Sequence, residues 1–301
     1  MKKKLLLLFL VLFKINYAQS LIYHTTNYFG PNANPVPEFS DASIPKYTEF
    51  STAADYYYGY GDQTISNISK LEIPLIAEKV SVKAWAVVLE HFSVSDQVLS
   101  RRQMQKNEGF ATGDLYIQLR IKLLSEDKLR PAIILNSTLK TASGSEFKNR
   151  RFFNTAGYYF DIEIGKSIKI SNFFIDEMRV VSNLGFFSWD IQTPNLNVQD
   201  DAILYGEKLI LKHKNISLEN TFSGYNGWVN RVEDYGNRPI VFASKLNLHR
   251  RKAVWFAQYQ HGIRHFPYKQ IRVGIQFSLQ KLTPDFLENN LDKNNSLLFY
   301  F

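Results

Sequence analysis

From Asp114 to Leu123 the chain alternates polar and apolar residues without a break. Leu115, Ile117, Leu119, Ile121 and Leu123 interleave with Asp114, Tyr116, Gln118, Arg120 and Lys122. Successive side chains of an extended strand point to opposite faces, so this segment reads as a strand with one apolar and one polar face. A helix would scatter the same residues around its axis. The device returns along the chain. Ile271, Val273, Ile275, Phe277 and Leu279 oppose Arg272, Gly274, Gln276 and Ser278, and Tyr158, Phe160, Ile162 and Ile164 oppose Asp161 and Glu163. Val180, Leu184 and Phe186 oppose Arg179, Asn183 and Gly185, while Ile216, Leu218 and Phe222 oppose Ser217, Glu219, Thr221 and Ser223. Ile240, Phe242, Leu246 and Leu248 oppose Lys245 and Asn247.

The pattern predicts strands over 47–59, 64–76, 79–92, 112–124, 129–142, 156–165, 177–189, 201–212, 215–227, 238–249, 252–263 and 268–279. Each spans ten or more residues, longer than the soluble mode of about 5–6 and long enough for a tilted membrane strand of about 9–11. About twelve strands is an even number, as single-chain bacterial barrels require. Short connections (Ala77–Glu78, Ser125–Lys128, His213–Lys214, Arg250–Arg251) alternate with long ones (93–111, 143–155, 190–200, 228–237). Outer-membrane barrels place periplasmic turns opposite extracellular loops in this way. The connections 60–63 and 166–176 fit that scheme less well in length. The fold class expected is all-β, an antiparallel transmembrane β-barrel over residues 46–280.

The N-terminus points to the same compartment. Lys2, Lys3 and Lys4 precede an apolar run over Leu5–Phe13, and Tyr17-Ala18-Gln19 offers a small residue for cleavage. This reads as a signal peptide over 1–18; the run is too short for a spanning helix, which needs about 20 apolar residues. Cleavage removes four lysines and takes the formal charge from +8 to +4, a balance that gives no reason to expect nucleic acid as a partner. The absence of cysteine excludes lipoprotein acylation and disulfides. Residues 19–45, rich in Asn, Pro and Ser, read as a periplasmic or luminal arm. Residues 281–301 read as a C-terminal tail ending in Leu297-Leu298-Phe299-Tyr300-Phe301, whose terminal aromatic resembles the assembly signal of outer-membrane barrels. Aromatic residues gather near strand ends: Tyr56, Tyr57, Tyr58 and Tyr60; Tyr158, Tyr159 and Phe160; Phe186, Phe187 and Trp189; Tyr225 and Trp228; Phe266 and Tyr268. They are expected to form interfacial girdles, with an apolar ring toward lipid and a hydrated tip.

Three short stretches carry a resemblance: Tyr28-Phe29-Gly30-Pro31-Asn32-Ala33, Gly113-Asp114-Leu115-Tyr116, and Leu139-Lys140-Thr141-Ala142-Ser143-Gly144. Together they resemble uncharacterised outer-membrane barrels of Bacteroidetes. More distantly, the Gly-Asp-Leu strand and the Lys-Thr-Ala-Ser-Gly strand end are similar to barrels known as aromatic-degradation (phenol meta-pathway) transporters. The resemblance covers about residues 28–279. It implies an outer-membrane barrel with a role in uptake, and it brings no catalytic residues.

With the apolar faces in lipid, the polar faces line the interior. The residues expected there are Asp114, Arg120, Lys122, Lys140, Asp161, Glu163, Arg179, Glu219, Lys245 and Arg272. Neither sign dominates, so the set reads as a salt-bridge network filling a narrow barrel, with a solute pathway as the other reading. Glu90 and His91 follow a break in alternation near Trp85–Leu89, which leaves their facing open. Arg101-Arg102 and Lys148 with Arg150-Arg151 fall on outer loops, either solvated or placed to meet lipopolysaccharide phosphates. No Gly-x-Ser-x-Gly elbow or phosphate loop occurs, and His261 and His265 sit at a strand end. No enzyme activity, cofactor or metal is therefore expected. The function expected is a narrow outer-membrane channel for passive uptake of small solutes; the alternative is a plugged barrel acting as an accessory subunit with envelope protein partners.

Overall fold

The computed structural model describes residues 25–170, 175–191, 201–228, 236–251 and 253–284. The signal segment 1–18 and the terminal Leu297–Phe301 lie outside these. The strands are β1 Glu49–Gly59, β2 Asp62–Ile76, β3 Val80–Val94, β4 Glu108–Ala111, β5 Tyr116–Leu124, β6 Ala132–Lys140 and β7 Ala156–Lys169. They continue as β8 Glu177–Ile191, β9 Asp201–His213, β10 Ile216–Gly227, β11 Ile240–His249, β12 Ala253–Arg264 and β13 Lys269–Ser278. A single helical turn, α1 (Asp96–Arg101), lies between β3 and β4 and is capped by the Ser95 hydroxyl.

Every neighbouring pair is antiparallel, and the ring closes where β1 pairs with β13. Both β4 and β5 pair with β3, over Glu90–Ser93 and Val80–Trp85 respectively. The strand expected over 112–124 is thus one barrel position built from two segments, and thirteen segments fill twelve positions. Closure leaves no unpaired edge, which is the condition for a sheet in hydrocarbon. The connection after β1 is a two-residue turn, with Tyr60 at φ 57° and Gly61 at φ 77°. Two consecutive positive φ values suit the twist of a tight hairpin, which explains why this outer connection is short.

The outer wall carries the apolar stripe. Leu123, Leu184 and Val273 are 56%, 64% and 56% exposed. Water would not tolerate such a belt around a closed sheet; lipid is its solvent. The fold and this belt place the chain in an outer membrane. The break in the β3 alternation has a local cause: pairing with β2 jumps from Asn67↔Leu89 to Ile68↔Val87. Val88 is a bulge, and it resets the facing of the residues after it. Glu90 therefore points inward and is fully buried, while His91 faces outward beside Glu108 at 3.1 Å.

Consecutive aromatic residues split between the faces, so the girdle expectation holds for only part of the set. Tyr56, Tyr58, Phe160 and Trp228 face out, whereas Tyr57, Tyr159, Phe187, Trp189, Tyr225, Phe266 and Tyr268 are buried inside with Phe29 and Phe153. The inward rings have something to pack on because the lumen is filled.

Candidate functional site

The interior is occupied by residues 25–48. The segment begins among the outer connections, where the Thr26 hydroxyl donates to the carbonyls of Gly236 and His265 and Gly30 N–H donates to the Arg150 carbonyl. It ends at the opposite mouth, where Leu279 N–H donates to the Thr48 carbonyl as β1 begins. Between these ends it has no regular structure, and Pro35, Pro37 and Pro45 contribute no N–H. Irregular backbone at membrane depth persists only where other groups satisfy it. The wall supplies them. Glu163 accepts from Ser40 N–H (2.8 Å) and Ala42 N–H (3.1 Å), Lys208 donates to the Phe39 carbonyl (2.5 Å), and Arg179 donates to the carbonyls of Asp41 (2.6 Å) and Ala42 (3.3 Å).

The luminal charges fall into three groups. In the first, Arg120 pairs with Glu72 (2.7 Å) and Glu163 (3.2 Å), and the amides of Asn136 and Asn183 each donate to Asp161 at 2.7 Å. In the second, Arg272 makes a two-pronged contact with Asp55 (2.6 and 2.8 Å) and reaches Glu38 of the arm (2.6 Å). Lys70 meets the same Glu38 at 2.5 Å. In the third, Lys208 and Lys245 stand 3.9 and 4.0 Å from a single carboxylate, Glu219.

Asp114 and Lys140 form a separate buried pair at 2.8 Å, with Gly144 N–H donating to Asp114 at 2.7 Å. Arg179 also pairs with Glu126 at the lower rim (2.5 Å). Lys122, half-buried beside a register shift at the end of β5, joins none of these groups. Thus the structure brings Arg120, Asp161 and Glu163 together, joins Lys245 to Glu219, and spreads the other sites around the wall.

The outer end holds a cluster that the periodic pattern does not announce. Asp62 accepts from Arg102 (2.7 Å) and Arg151 (2.9 Å), Arg151 also donates to Glu90 (2.6 Å), and Asn32 of the arm donates to the same Glu90 (2.6 Å). Tyr268 closes the ring, accepting from Arg102 at 2.5 Å and donating to the Phe29 carbonyl at 2.9 Å. This corrects the expectation for the basic loops. Arg102 and Arg151 are fully buried and Arg150 nearly so, leaving Arg101 and Lys148 at the surface. The loops fold inward because Asp62 and Glu90 offer fixed acceptors there, and a shared desolvated carboxylate binds guanidinium more firmly than water does.

Asp55, Lys70, Glu72 and Lys208 were also legible as inward positions in their strands, beside outward Ala54, Leu71 and Leu209. Glu90 was hidden by the bulge. Arg102 and Arg151 lie in loops, where no period marks a facing.

Two cavities lined by the described residues lie beside the arm. The upper, of about 80 Å³, is lined by Trp85, Tyr116, Phe152, Tyr159 and Phe187. The lower, of about 320 Å³, is lined by Pro45, Glu49, Glu219, Lys245, Phe256 and Gln276. They share Ile68, Lys70, Lys83 and Arg272, so both run along the β1–β3 and β12–β13 side and meet at the Glu38 ion pairs. Among the described residues no group of three or more His, Cys, Asp or Glu could hold a metal ion.

No family model matches the chain, and no curated protein matches it. Solved structures do. The COG4313 outer membrane channel from Pseudomonas putida F1 superposes with a TM-score of 0.54 at 11% identity, over 81% of this chain and 100% of that one. The transport unit of the autotransporter AIDA-I from Escherichia coli superposes at 0.52 and 8% identity, over 84% and 97%. At such identities the likeness concerns the fold: this chain shares the closed antiparallel barrel of outer-membrane proteins.

Proposed function

We propose that the protein is a narrow channel for passive uptake of small solutes, its pathway running along one side of the luminal arm. The observation that carries this reading is the pair of cavities with common walls at Ile68, Lys70, Lys83 and Arg272. They leave a lane past the arm, narrowest where Glu38 bridges Lys70 and Arg272. The mixed charges of that lane favour weak selectivity, because a strongly selective pore needs a ring of one sign. The likeness in fold to a protein described as an outer membrane channel leans the same way, as does the resemblance to Bacteroidetes barrels and aromatic-degradation transporters.

Reconstituted into planar bilayers, the purified protein is expected to give small, ohmic conductance steps with weak ion preference. Liposome swelling is expected with glycerol and single amino acids but not with a trisaccharide. Conductance and swelling no greater than in protein-free lipid would overturn the reading. The second reading, a plugged accessory subunit, is favoured by the buried Asp62 cluster at the outer end, and that silent result would select it. Lipopolysaccharide remains the partner proposed for the outer rim, through exposed Arg101 and Lys148.

A further inference from the structure

The outer wall carries apolar or small neutral side chains at mid-strand, with one exception among the described residues. Glu207 lies at the middle of β9, in the outward set Ile203, Tyr205, Glu207, Leu209 and Leu211. Its cross-strand neighbours are Ser182 and Phe222, and the side chain is exposed among exposed Val180, Leu184 and Phe222. Its hydrogen bond within the chain comes from the Ser182 hydroxyl at 2.9 Å. The other outward charged or titratable groups, such as His91, Lys166, His261 and Lys269, sit near strand ends, where the rim is hydrated.

Hydrocarbon offers a carboxylate no donors, so a group in this position is costly unless another chain supplies them. More polar residues extend the patch. Asn220 faces outward one step diagonally from Glu207, and Ser244 pairs with Asn220 on the next strand. The polar residues on the opposite wall differ: Asn67 and Ser69 both bond Thr52, at 3.1 and 3.2 Å, and neither is charged.

We propose that the outward face of β8–β11 packs against a second copy of this chain, and that Glu207 of each copy accepts hydrogen bonds from Asn220 and Ser244 of the other. Copies inserted in one membrane share orientation and depth, so the same polar band meets itself across a twofold axis along the membrane normal. Such a contact is isologous and closes at two. Side-chain hydrogen bonds between spanning elements favour association because the alternative environment is lipid.

The full chain contains no cysteine, so single cysteines report without background. Ser244→Cys on the proposed face and Leu119→Cys on the far wall are introduced separately and treated in outer membranes with a short bismaleimide. The Ser244→Cys protein is expected to give a product of twice the chain mass, about tenfold above Leu119→Cys, and adding Glu207→Leu is expected to reduce it about fivefold. Leucine suits a lipid-facing position, and retained heat-modifiable mobility confirms the barrel. Equal yields from the two positions, a product of any other mass, or undiminished crosslinking with Glu207→Leu would each overturn the proposal.

Discussion

The two ends of the lumen hold charge in different ways. At the outer end, Asp62, Arg102, Arg151 and Glu90 are wholly buried and joined at 2.6–2.9 Å, with the arm's Asn32 and Phe29 in the same cluster. At the periplasmic end, Lys208 and Lys245 share Glu219 at 3.9–4.0 Å beside a cavity of about 320 Å³. The first arrangement is a fastening, costly to break because each partner would be left charged and dry. The second is loose and partly hydrated, suited to a surface past which a solute moves. The same residue types serve both, and water decides between them.

The sharpest way to break this contrast is Asp62→Ala. Leaving Arg102 and Arg151 buried without their shared carboxylate should cost about 3–5 kcal/mol, read as a lower urea midpoint for loss of the folded gel band. A cost below that of Glu219→Ala would erase the distinction. Next comes Gly30→Ala. An added Cβ would lie 2.4 Å from the Arg151 guanidinium carbon. Displacing that side chain should cost about 1–2 kcal/mol in the same assay. Glu219→Ala itself should cost about 1 kcal/mol or less, since its pairs are long and its side chain is 20% exposed. The smallest effect is on selectivity. Glu219→Gln should raise the chloride-to-potassium permeability ratio about twofold, measured as a reversal potential in a salt gradient.

The barrel was legible because lipid imposes a strict period of two, and a strand that obeys it, such as Tyr116–Leu124, announces both its faces. The pattern failed where chain geometry interrupts that period. The Val88 bulge concealed Glu90, and the excursion between β4 and β5 divided what the alternation presents as one strand. Loop side chains carry no period, so Arg102 and Arg151 read as surface charges until Asp62 and Glu90 were seen to receive them. Runs such as Tyr56-Tyr57-Tyr58 misled for the opposite reason: alternation sends the middle ring inward, and a girdle assignment takes all three. The arm's path was the least legible feature. Its backbone partners come from β7, β8, β9 and the outer connections, far away in sequence, and nothing local in an Asn- and Pro-rich segment points to them.

The arm is the element that narrows the lumen, and removing it tests this most directly. Single-channel conductance of the intact chain should be compared with that of a chain lacking residues 25–45, both folded by the gel-mobility criterion. Ion flow is governed by the narrowest section, so the shortened chain should conduct about tenfold more. Equal conductance from the two would show that the constriction lies elsewhere and contradict the arm's role.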